Sequence, residues 1–336
     1  MNSVYYIKED KAAVQDYYAD IIGRGLEKAG YPLYKTISIN EINAIDKNSI
    51  IICISHYLTV RLRLKGFKNI LYWVQGSSPD ESFMRNHSYL RKWFITLIEY
   101  MALQKAKCVF MVSQSMLEYY KKKYKKDFSY KTYIMPCYNS QLQEELFNKE
   151  GKYTNNTFCY VGGLSVWQCF EETVKLYGKI EKQVPNTFFR VFTPDIDAAK
   201  KVLESEGVEH YSVEFVKSNE LVDKLAECKY GFILRGKSPV NLVATPTKLS
   251  NYLAAGLIPI VSTAVGFFNE ILSETKYKVL LENFNDVEAI KKISSMDIKK
   301  EDIINEYRHL FDLFYNTSKH ITNISEFLKK RFFTLK

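Results

Sequence analysis

Residues 230–271 read YGFILRGKSPVNLVATPTKLSNYLAAGLIPIVSTAVGFFNEI and predict a strand, a polar loop, a helix and a second strand in succession. The apolar run that opens the stretch is typical of a buried strand. Thr245 and Pro246 stand in the order expected of a helix N-cap and first helical position, and the helix predicted from Lys248 ends at Gly256. A strand, a helix and another strand at this spacing indicate a parallel sheet.

Two cations stand where this stretch predicts an anion site. Arg235 ends the first strand, and Lys248 opens the helix. A helix N-terminus beyond a parallel strand presents free N–H groups to an anion, and two fixed cations would add to its attraction. The alternative is that Pro246 and Gly256 only bound a surface helix whose cations lie in solvent.

The rest of the chain repeats the same alternation of short apolar runs and helical patterns. This alternation predicts parallel sheets covered by helices on both faces, and it is interrupted once by a polar segment without an apolar stripe. The sequence therefore predicts an α/β protein with two Rossmann-like domains that face each other across a cleft. The predicted parts are an N-terminal domain at 1–138, a linker at 139–155, a C-terminal domain at 156–315 and a final helix at 316–336.

The composition excludes several classes of protein. Of 336 residues, 46% are apolar and 25% are charged, which is ordinary for a soluble globular protein and excludes wholesale disorder. No run approaches the roughly 18 apolar residues that span a bilayer, and the N-terminus lacks the pattern of a signal peptide, so we expect a cytoplasmic protein. The six scattered cysteines form no CxxC pair, which favours reduced structural thiols over a zinc site.

Two strings of sequence carry a family resemblance, PTKLSNYLAAGLIPIVSTAVGFFNEI and CYVGGLSVWQCFEETVKLYGKI. The first is similar to the donor-site signature of GT-B glycosyltransferases, specifically the large retaining family 4-like group of bacterial enzymes. The second resembles the strand, loop and helix that begin that family's second domain. With QGSSPDES and the helix start SQSM, the resemblance covers most of the chain. It implies the GT-B fold, a C-terminal helix that returns to the N-terminal domain, and a nucleotide-sugar donor.

The resemblance and the cation pair together predict a donor site in the second domain. Arg235 and Lys248 are also predicted to be catalytic, because fixed cations stabilise the charge that develops on a leaving diphosphate. A glycine pair after a strand lets the backbone approach a ligand, although an ordinary tight turn explains it equally well, and Trp167 fits either the cleft or the core. The predicted donor-binding residues are Gly162, Gly163, Ser165, Trp167, Arg235, Ser238, Asn241, Thr247, Lys248 and Asn251.

The sequence departs from the family pattern at positions close to the chemistry. Family members commonly carry two glutamates eight positions apart, and these correspond to Val243 and Asn251. The cations that often bind diphosphate after the first strand of the second domain correspond to Gly163 and Gln168. Asn251 can still bond ribose, with a neutral amide in place of a carboxylate. The diphosphate is therefore assigned to the two cations described above.

The first half offers a candidate site where two apolar strands end. His56 follows IIICIS and can exchange a proton near neutral pH, so it is predicted to be catalytic, although a lone histidine is commonly structural. Gln75 and Gly76 follow ILYWV, and Asp80 and Glu81 come shortly afterwards. These four residues are predicted to bind the acceptor. The two acidic residues fit equally well as the first turn of a helix.

Three basic clusters with aromatic neighbours make an anionic membrane surface a candidate partner. Such segments bind lipid headgroups, so we expect a peripheral position on the inner face of the cell membrane, with a solvated helix face as the alternative. Lysine supplies nearly all of the positive charge, which argues against a nucleic-acid partner. The clusters are Arg61, Arg63, Lys65 and Lys68; Lys121, Lys122, Lys123, Lys125 and Lys126 with Tyr119, Tyr120 and Tyr124; and Lys329, Lys330 and Arg331 with Phe332 and Phe333.

The expected function is the transfer of a sugar from a nucleotide diphosphate sugar to a hydroxyl of a lipid-linked or polysaccharide acceptor. The resemblance implies bacterial surface glycan synthesis (capsule, O-antigen or exopolysaccharide), with retention at the anomeric carbon. No acidic pair suggests a metal-bound diphosphate, and the family generally works without a metal, so no metal or cofactor is expected. A nucleotide-sugar epimerase and a non-catalytic partner subunit that kept the fold stay open as alternatives.

Overall fold

The computed structural model describes residues 2–9, 13–284 and 287–332. The chain divides into two compact units. Unit 1 comprises residues 1–136 and 316–336, and unit 2 comprises residues 137–315. No helix in the described ranges is long and apolar enough to cross a bilayer.

Unit 1 is built on a six-stranded parallel sheet with helices between the strands. Its elements are β1 (Val4–Ile7), α1 (Ala13–Lys28), β2 (Lys35–Ile37), β3 (Ile50–Cys53), α2 (His56–Leu64), β4 (Asn69–Val74), α3 (Ser78–Asn86), α4 (Tyr89–Lys105), β5 (Cys108–Met111), α5 (Gln114–Tyr124), β6 (Thr132–Ile134) and α14 (Thr317–Phe332). The strand order is β2-β1-β3-β4-β5-β6, and every pairing is parallel. The order reverses between β1 and β3.

Strands β3 and β5 of unit 1 are apolar at every position, as expected where helices cover both faces of a sheet. All residues of β3 and β5 are buried. A strand buried on both sides loses the alternation of polar and apolar residues that a half-exposed strand shows. Continuous runs such as IIIC and CVFM are therefore the expected sequence of this sheet.

Unit 2 has its own six-stranded parallel sheet. Its elements are β7 (Asn156–Val161), α6 (Phe170–Glu181), β8 (Thr187–Phe192), α7 (Ile196–Ser205), β9 (Tyr211–Glu214), α8 (Leu221–Leu225), β10 (Tyr230–Ile233), α9 (Pro239–Val243), α10 (Lys248–Ala254), β11 (Ile258–Ser262), α11 (Gly266–Ile271), β12 (Val279–Leu281), α12 (Val287–Ser295) and α13 (Lys300–Phe314). The strand order is β12-β11-β10-β7-β8-β9. It is the order of a dinucleotide-binding Rossmann domain, and it reverses between β7 and β10.

The last helix, α14, returns to unit 1 and packs along α1. The Lys28 Nζ donates to the Thr322 Oγ1 at 2.9 Å, and the Tyr17 hydroxyl lies 3.1 Å from the Thr317 Oγ1. Gly25 lies against Ile324, since a Cβ at position 25 would lie 2.9 Å from the Ile324 Cβ. The predicted fold class, two Rossmann-like units with a C-terminal helix that returns to the first, is confirmed.

The segment at 139–155, which the sequence assigns to a linker, lies in unit 2. The Gln143 N–H donates to the Ala254 carbonyl at 3.2 Å, and the Tyr153 hydroxyl donates to the Gly256 carbonyl at 3.0 Å. Phe147 is buried against Gly256. The segment therefore packs on the end of α10, which its polar composition did not predict.

The close contact between α1 and α14 leads to a stability prediction. We expect Gly25→Ala to lower the free energy of unfolding by about 1 to 3 kcal/mol, because the new methyl group overlaps Ile324. In the double variant with Ile324→Ala, the loss should be smaller than the sum of the two single losses, because each change makes room for the other. Denaturant unfolding of the four proteins measures this coupling.

Gly178→Ala in α6 is the matched control, since its new Cβ would meet the Val208 Cγ2 at an ordinary 3.8 Å. We expect it to be neutral or slightly stabilising, as alanine is the better helix former. Strict additivity of Gly25→Ala and Ile324→Ala would contradict the packing of α14 on α1.

Candidate functional site

The strand order of unit 2 brings two predicted segments together. β7 and β10 are neighbours in register, with Phe232 opposite Tyr160. Gly162 and Gly163 directly follow β7, and Arg235 follows β10. Open α/β sheets bind ligands beyond the carboxyl ends of the strands, where the strand order reverses. The residues predicted from separate parts of the sequence therefore meet at the expected ligand position of this sheet.

Arg235 is held rigidly at this position and is 7% exposed. Its backbone N–H donates to the Ser262 Oγ at 2.8 Å, and that hydroxyl donates back to the Arg235 carbonyl at 2.8 Å. Its guanidinium donates one hydrogen bond, from Nη1 to the Trp167 carbonyl at 2.8 Å. Burial lowers the pKa of Arg235. A guanidinium has five N–H donors, so most of its donor capacity remains available to a ligand.

Lys248 is the second cation of the site. Its Nζ donates to the Gln168 Oε1 and lies 4.7 Å from the centroid of the Tyr160 ring. Burial, and then the positive charge of Arg235, hold the pKa of Lys248 well below its usual value. Within the described part of the chain, neither cation has a carboxylate partner.

Gly162 makes the position of Lys248 possible. Its φ is +124°, a conformation that other residues rarely adopt, and a Cβ would lie 2.7 Å from the Lys248 Nζ. The next carbonyl, of Gly163, accepts a hydrogen bond from the Tyr160 hydroxyl at 2.7 Å. The glycine pair is therefore shaped around the lysine as well as forming a turn.

Arg235, which is buried, and Lys248, which is half-buried, repel each other, and no carboxylate among the described residues neutralises either of them. Such an arrangement costs free energy unless an anion enters. An anion with several oxygens could accept from both side chains at once, and such charge-assisted bonds are the strong ones. The geometry therefore fits a phosphate or diphosphate group.

Other predicted donor residues support the loops around the cations. The Ser165 carbonyl accepts from the Gln168 N–H at 2.7 Å, which closes the short turn that carries Trp167, and Trp167 is half-buried rather than part of the core. Ser238 caps α9, and the buried Asn241 side chain donates to the Gly236 carbonyl at 2.8 Å. These hydrogen bonds hold the backbone of the loops around the two cations in place.

The start of α10 differs from the prediction. Thr245 does not cap the helix, because its Oγ1 accepts from the Cys137 N–H at 3.2 Å. Thr247 precedes the first helical residue, and its side chain makes no capping bond. The helix ends at Ala254, and Gly256 follows with a φ of +74°, which agrees with the predicted terminator. Because α10 is only seven residues long, the anion site depends on the two side chains and not on the helix dipole.

Asn251 is buried in α10, and its Oδ1 accepts from the Ser140 Oγ at 2.6 Å. Sequence reasoning missed this partner because Ser140 lies 111 residues away in the polar segment. Val243, at the other position where the family carries a glutamate, is fully buried.

In unit 1, His56 follows β3 beside the point where that sheet reverses its order. It is the first residue of α2, which Ser55 caps. Its Nε2 is buried and has no hydrogen-bond partner in the described chain, and burial lowers the pKa of His56 to about 4. The ring is therefore neutral near pH 7, and Nε2 can accept or donate one bond according to its tautomer.

The predicted acceptor residues differ in whether the described chain already engages their polar groups. The Gln75 Nε2 is buried and also lacks a partner among the described residues. The Gly76 carbonyl accepts from the Tyr120 hydroxyl at 3.0 Å, and burial raises the pKa of Glu81. The Asp80 carboxylate is already engaged by several donors of unit 1.

Asp80 belongs to a buried network of charged and phenolic groups. It accepts from the Lys92 Nζ at 2.8 Å, from the Tyr119 hydroxyl at 2.5 Å and from the Ser77 hydroxyl. Burial acts to raise the pKa of Asp80, but these bonds outweigh it and lower that pKa to about 2. These contacts join Asp80, in the first turn of α3, to α4 and α5, as expected of the structural alternative for this carboxylate.

Lys123 belongs to the same network, which corrects its place in the second basic cluster. Its Nζ pairs with the buried Glu99 carboxylate at 3.0 Å, so it is not a free surface cation. The other lysines of that cluster are exposed. Phe333 of the third cluster lies outside the described residues. Among the described residues, no group of three or more metal-binding side chains comes together.

No protein-family model matches this sequence, and no curated protein matches it. The fold, in contrast, resembles several solved structures. Sucrose-phosphate synthase from Thermosynechococcus elongatus superposes with a TM-score of 0.71 at 14% identity, with both chains covered completely. HepE from Anabaena, solved with UDP and glucose, gives a TM-score of 0.69 at 10% identity and covers 98% of this chain and 100% of its own.

A glycosyltransferase from Rickettsia africae gives a TM-score of 0.64 at 12% identity, over 100% of this chain and 99% of its own. Identities this low establish the fold and no more. The structural neighbours are GT-B glycosyltransferases, and the chain has their fold.

Proposed function

We propose that this protein is a glycosyltransferase that uses a nucleoside diphosphate sugar as its donor. The observation that carries the proposal is the pair of cations formed by the buried Arg235 and the half-buried Lys248, which lack an anionic partner in the described chain. Both lie where the sheet of unit 2 reverses its order. The fold is shared with glycosyltransferases, and HepE of Anabaena was solved with UDP. UDP is therefore the first nucleotide to test.

The cation pair suits the hardest part of the proposed reaction. Breaking the bond between sugar and diphosphate moves negative charge onto the leaving phosphate oxygens. Arg235 is fixed before the reaction by Ser262 and Trp167, so it needs little reorganisation. Lys248 would exchange the neutral oxygen of Gln168 for a charged phosphate oxygen, a stronger partner. Binding the diphosphate would thus also raise the pKa of Lys248.

For the acceptor we propose a hydroxyl of a lipid-linked or polysaccharide glycan made for a bacterial surface, such as a capsule, O-antigen or exopolysaccharide. The unpartnered Nε2 atoms of His56 and Gln75 support a polar ligand in unit 1. A neutral His56 could accept a proton from such a hydroxyl. Retention at the anomeric carbon and a reaction without a metal are proposed from the family resemblance.

A panel of nucleotide sugars distinguishes this proposal from the two alternatives. Release of UDP that requires an added acceptor indicates a transferase. Conversion of the sugar without any acceptor indicates an epimerase. Binding without either reaction indicates a non-catalytic subunit. A thermal-shift screen identifies the ligand first, because a ligand of the folded state raises the melting temperature.

We expect Lys248 to lower the free energy of unfolding when no anion is bound. Between the lowered pKa of Lys248 and its usual value of 10.5, the unfolded chain binds a proton that the folded chain does not. Stability is therefore lost as the pH falls through that window, and it stays lost below it. We expect Lys248→Met to raise the stability of the ligand-free protein at pH 7 by about 1 kcal/mol or more. Its advantage in melting temperature should shrink as the pH rises towards 10.

The same variant should lose UDP affinity by about 1.5 to 3 kcal/mol, because a charge-assisted contact is gone. Lys152→Met is the matched control. Lys152 is more buried than Lys248, and its Nζ donates to the carbonyls of Ala226 and Cys228 at 3.0 and 3.1 Å. Its loss should destabilise the protein without changing UDP affinity. Calorimetry that finds equal UDP affinity in Lys248→Met and the parent would refute the donor site.

The second prediction concerns Asn251. If its amide contacts the ribose, Asn251→Ala should lose about 0.5 to 1.5 kcal/mol of UDP binding. Asn251→Asp should hold or improve it, since a carboxylate can accept from both Ser140 and a ribose hydroxyl. Titration with UDP and with its 2′-deoxy analogue measures the difference.

Ser140→Ala is the control, because it frees the Asn251 Oδ1 without altering that side chain. It should leave UDP affinity unchanged or raise it. Should the ribose and deoxyribose nucleotides respond identically to all three substitutions, Asn251 acts only in packing α10 against the 139–155 segment.

A further inference from the structure

The first half of α4 exposes a face made of large apolar side chains. Tyr89, Leu90, Trp93, Phe94 and Leu97 are 75%, 84%, 67%, 53% and 44% exposed. Single exposed apolar residues are common on soluble proteins, but five within nine positions of one helix are not. Ser88 caps the first turn of this helix.

These five side chains share one side of the helix. At 3.6 residues per turn they fall within an arc of about 140°. The buried residues of α4, which are Ile95, Glu99, Ala102 and Leu103, lie on the opposite side. No charged residue falls inside the exposed arc, and the exposed Arg91 flanks it. We call the five residues the α4 face.

α4 packs against α3 and α2 and also contacts α5, and exposed cations occur on α2 and α5. α2 packs along α4 and carries the exposed Arg61 as well as Leu64, which is 80% exposed. α5 contacts α4 through the tilted ring pair Tyr100 and Tyr124 and through the ion pair of Lys123 with Glu99. The exposed lysines of α5 and its C-terminal end are Lys121, Lys122, Lys125 and Lys126.

We infer that the α4 face docks into the interface of an anionic lipid bilayer. Tryptophan and tyrosine are enriched where membranes meet water, because each ring joins an apolar body to a polar group. An apolar face inserted at the headgroup level, with cations beside it, combines burial with attraction to anionic lipid. A second copy of the chain fits less well, since a two-fold contact through this face would bring Arg61 and Arg91 close to their own counterparts.

The inference rests on the proposed function in one respect: a lipid-linked acceptor would give the bilayer a purpose. The docking itself follows from the α4 face and can be tested alone. Donor binding is measured separately on unit 2 residues, so failure of one proposal does not decide the other.

The test is flotation of the full chain with vesicles of phosphatidylcholine and with vesicles that also contain phosphatidylglycerol. We expect binding to the anionic vesicles, weakened by salt. The triple variant Leu90→Ser, Trp93→Ser, Phe94→Ser should bind about tenfold or more weakly, because the inserted apolar area is removed. An unchanged melting temperature and circular dichroism spectrum establish that this variant is folded.

Trp93→Phe separates insertion from simple adhesion. It should bind vesicles nearly as well as the parent, while the blue shift of tryptophan emission on adding vesicles disappears. Phe215→Ser and Leu313→Ser are matched controls, because these residues are 60% and 48% exposed in unit 2. Both should bind like the parent.

Three results would overturn the inference. The triple variant could bind vesicles as strongly as the parent. Only the charge variant Lys121→Gln, Lys122→Gln, Lys125→Gln could lose binding, which would leave the α4 face without a role. Or the parent could ignore vesicles and form a dimer that the triple variant abolishes, which would make a second copy the occupant.

Discussion

The arrangement around Arg235 and Lys248 depends on one constraint, the proximity of two cations in a buried site with no carboxylate among the described residues to neutralise them. Several features around the site follow from it. Gly162 leaves room for the lysine, Gln168 offers it a neutral oxygen, and Ser262 fixes the backbone of the arginine. Each of these contacts places a cation without cancelling its charge. A site organised in this way is preorganised for an anion, and it stabilises the folded chain best when the anion is present.

Two lysines of unit 1 are more fully compensated by their surroundings than Lys248 is. In unit 1, Lys123 pairs with Glu99, and phenolic hydroxyls donate to the same carboxylate. Lys131, also buried, donates to the carbonyls of Gln104 and Ala106 at 2.9 and 3.0 Å, at the end of α4. These groups follow the rule that a buried charge is compensated by its surroundings. Among the described residues, Lys248 contacts a neutral amide oxygen and an aromatic ring but no anion, which is the pattern of a group that awaits a ligand.

The sequence predicted the features that depend on local pattern and topology. Continuous apolar strands separated by helices predict parallel sheets, and the order of unit 2 then brings Gly162 to Arg235. The sequence did not predict contacts between distant segments, such as Ser140 with Asn251, because the local pattern around each residue carries no information about the other. Threonine is a typical capping residue, but the Thr245 hydroxyl instead accepts from a backbone N–H at the start of unit 2, that of Cys137. The exposed α4 face was also missed, since an apolar stripe on a helix usually indicates its buried side.

A crystal structure of the protein with UDP tests the donor site most directly. We expect phosphate oxygens within about 2.7 to 3.2 Å of both the Lys248 Nζ and the Arg235 guanidinium. We also expect the Lys248 amine to have moved away from the Gln168 Oε1. A structure in which the diphosphate binds elsewhere while Lys248 still donates to Gln168 would contradict the central claim.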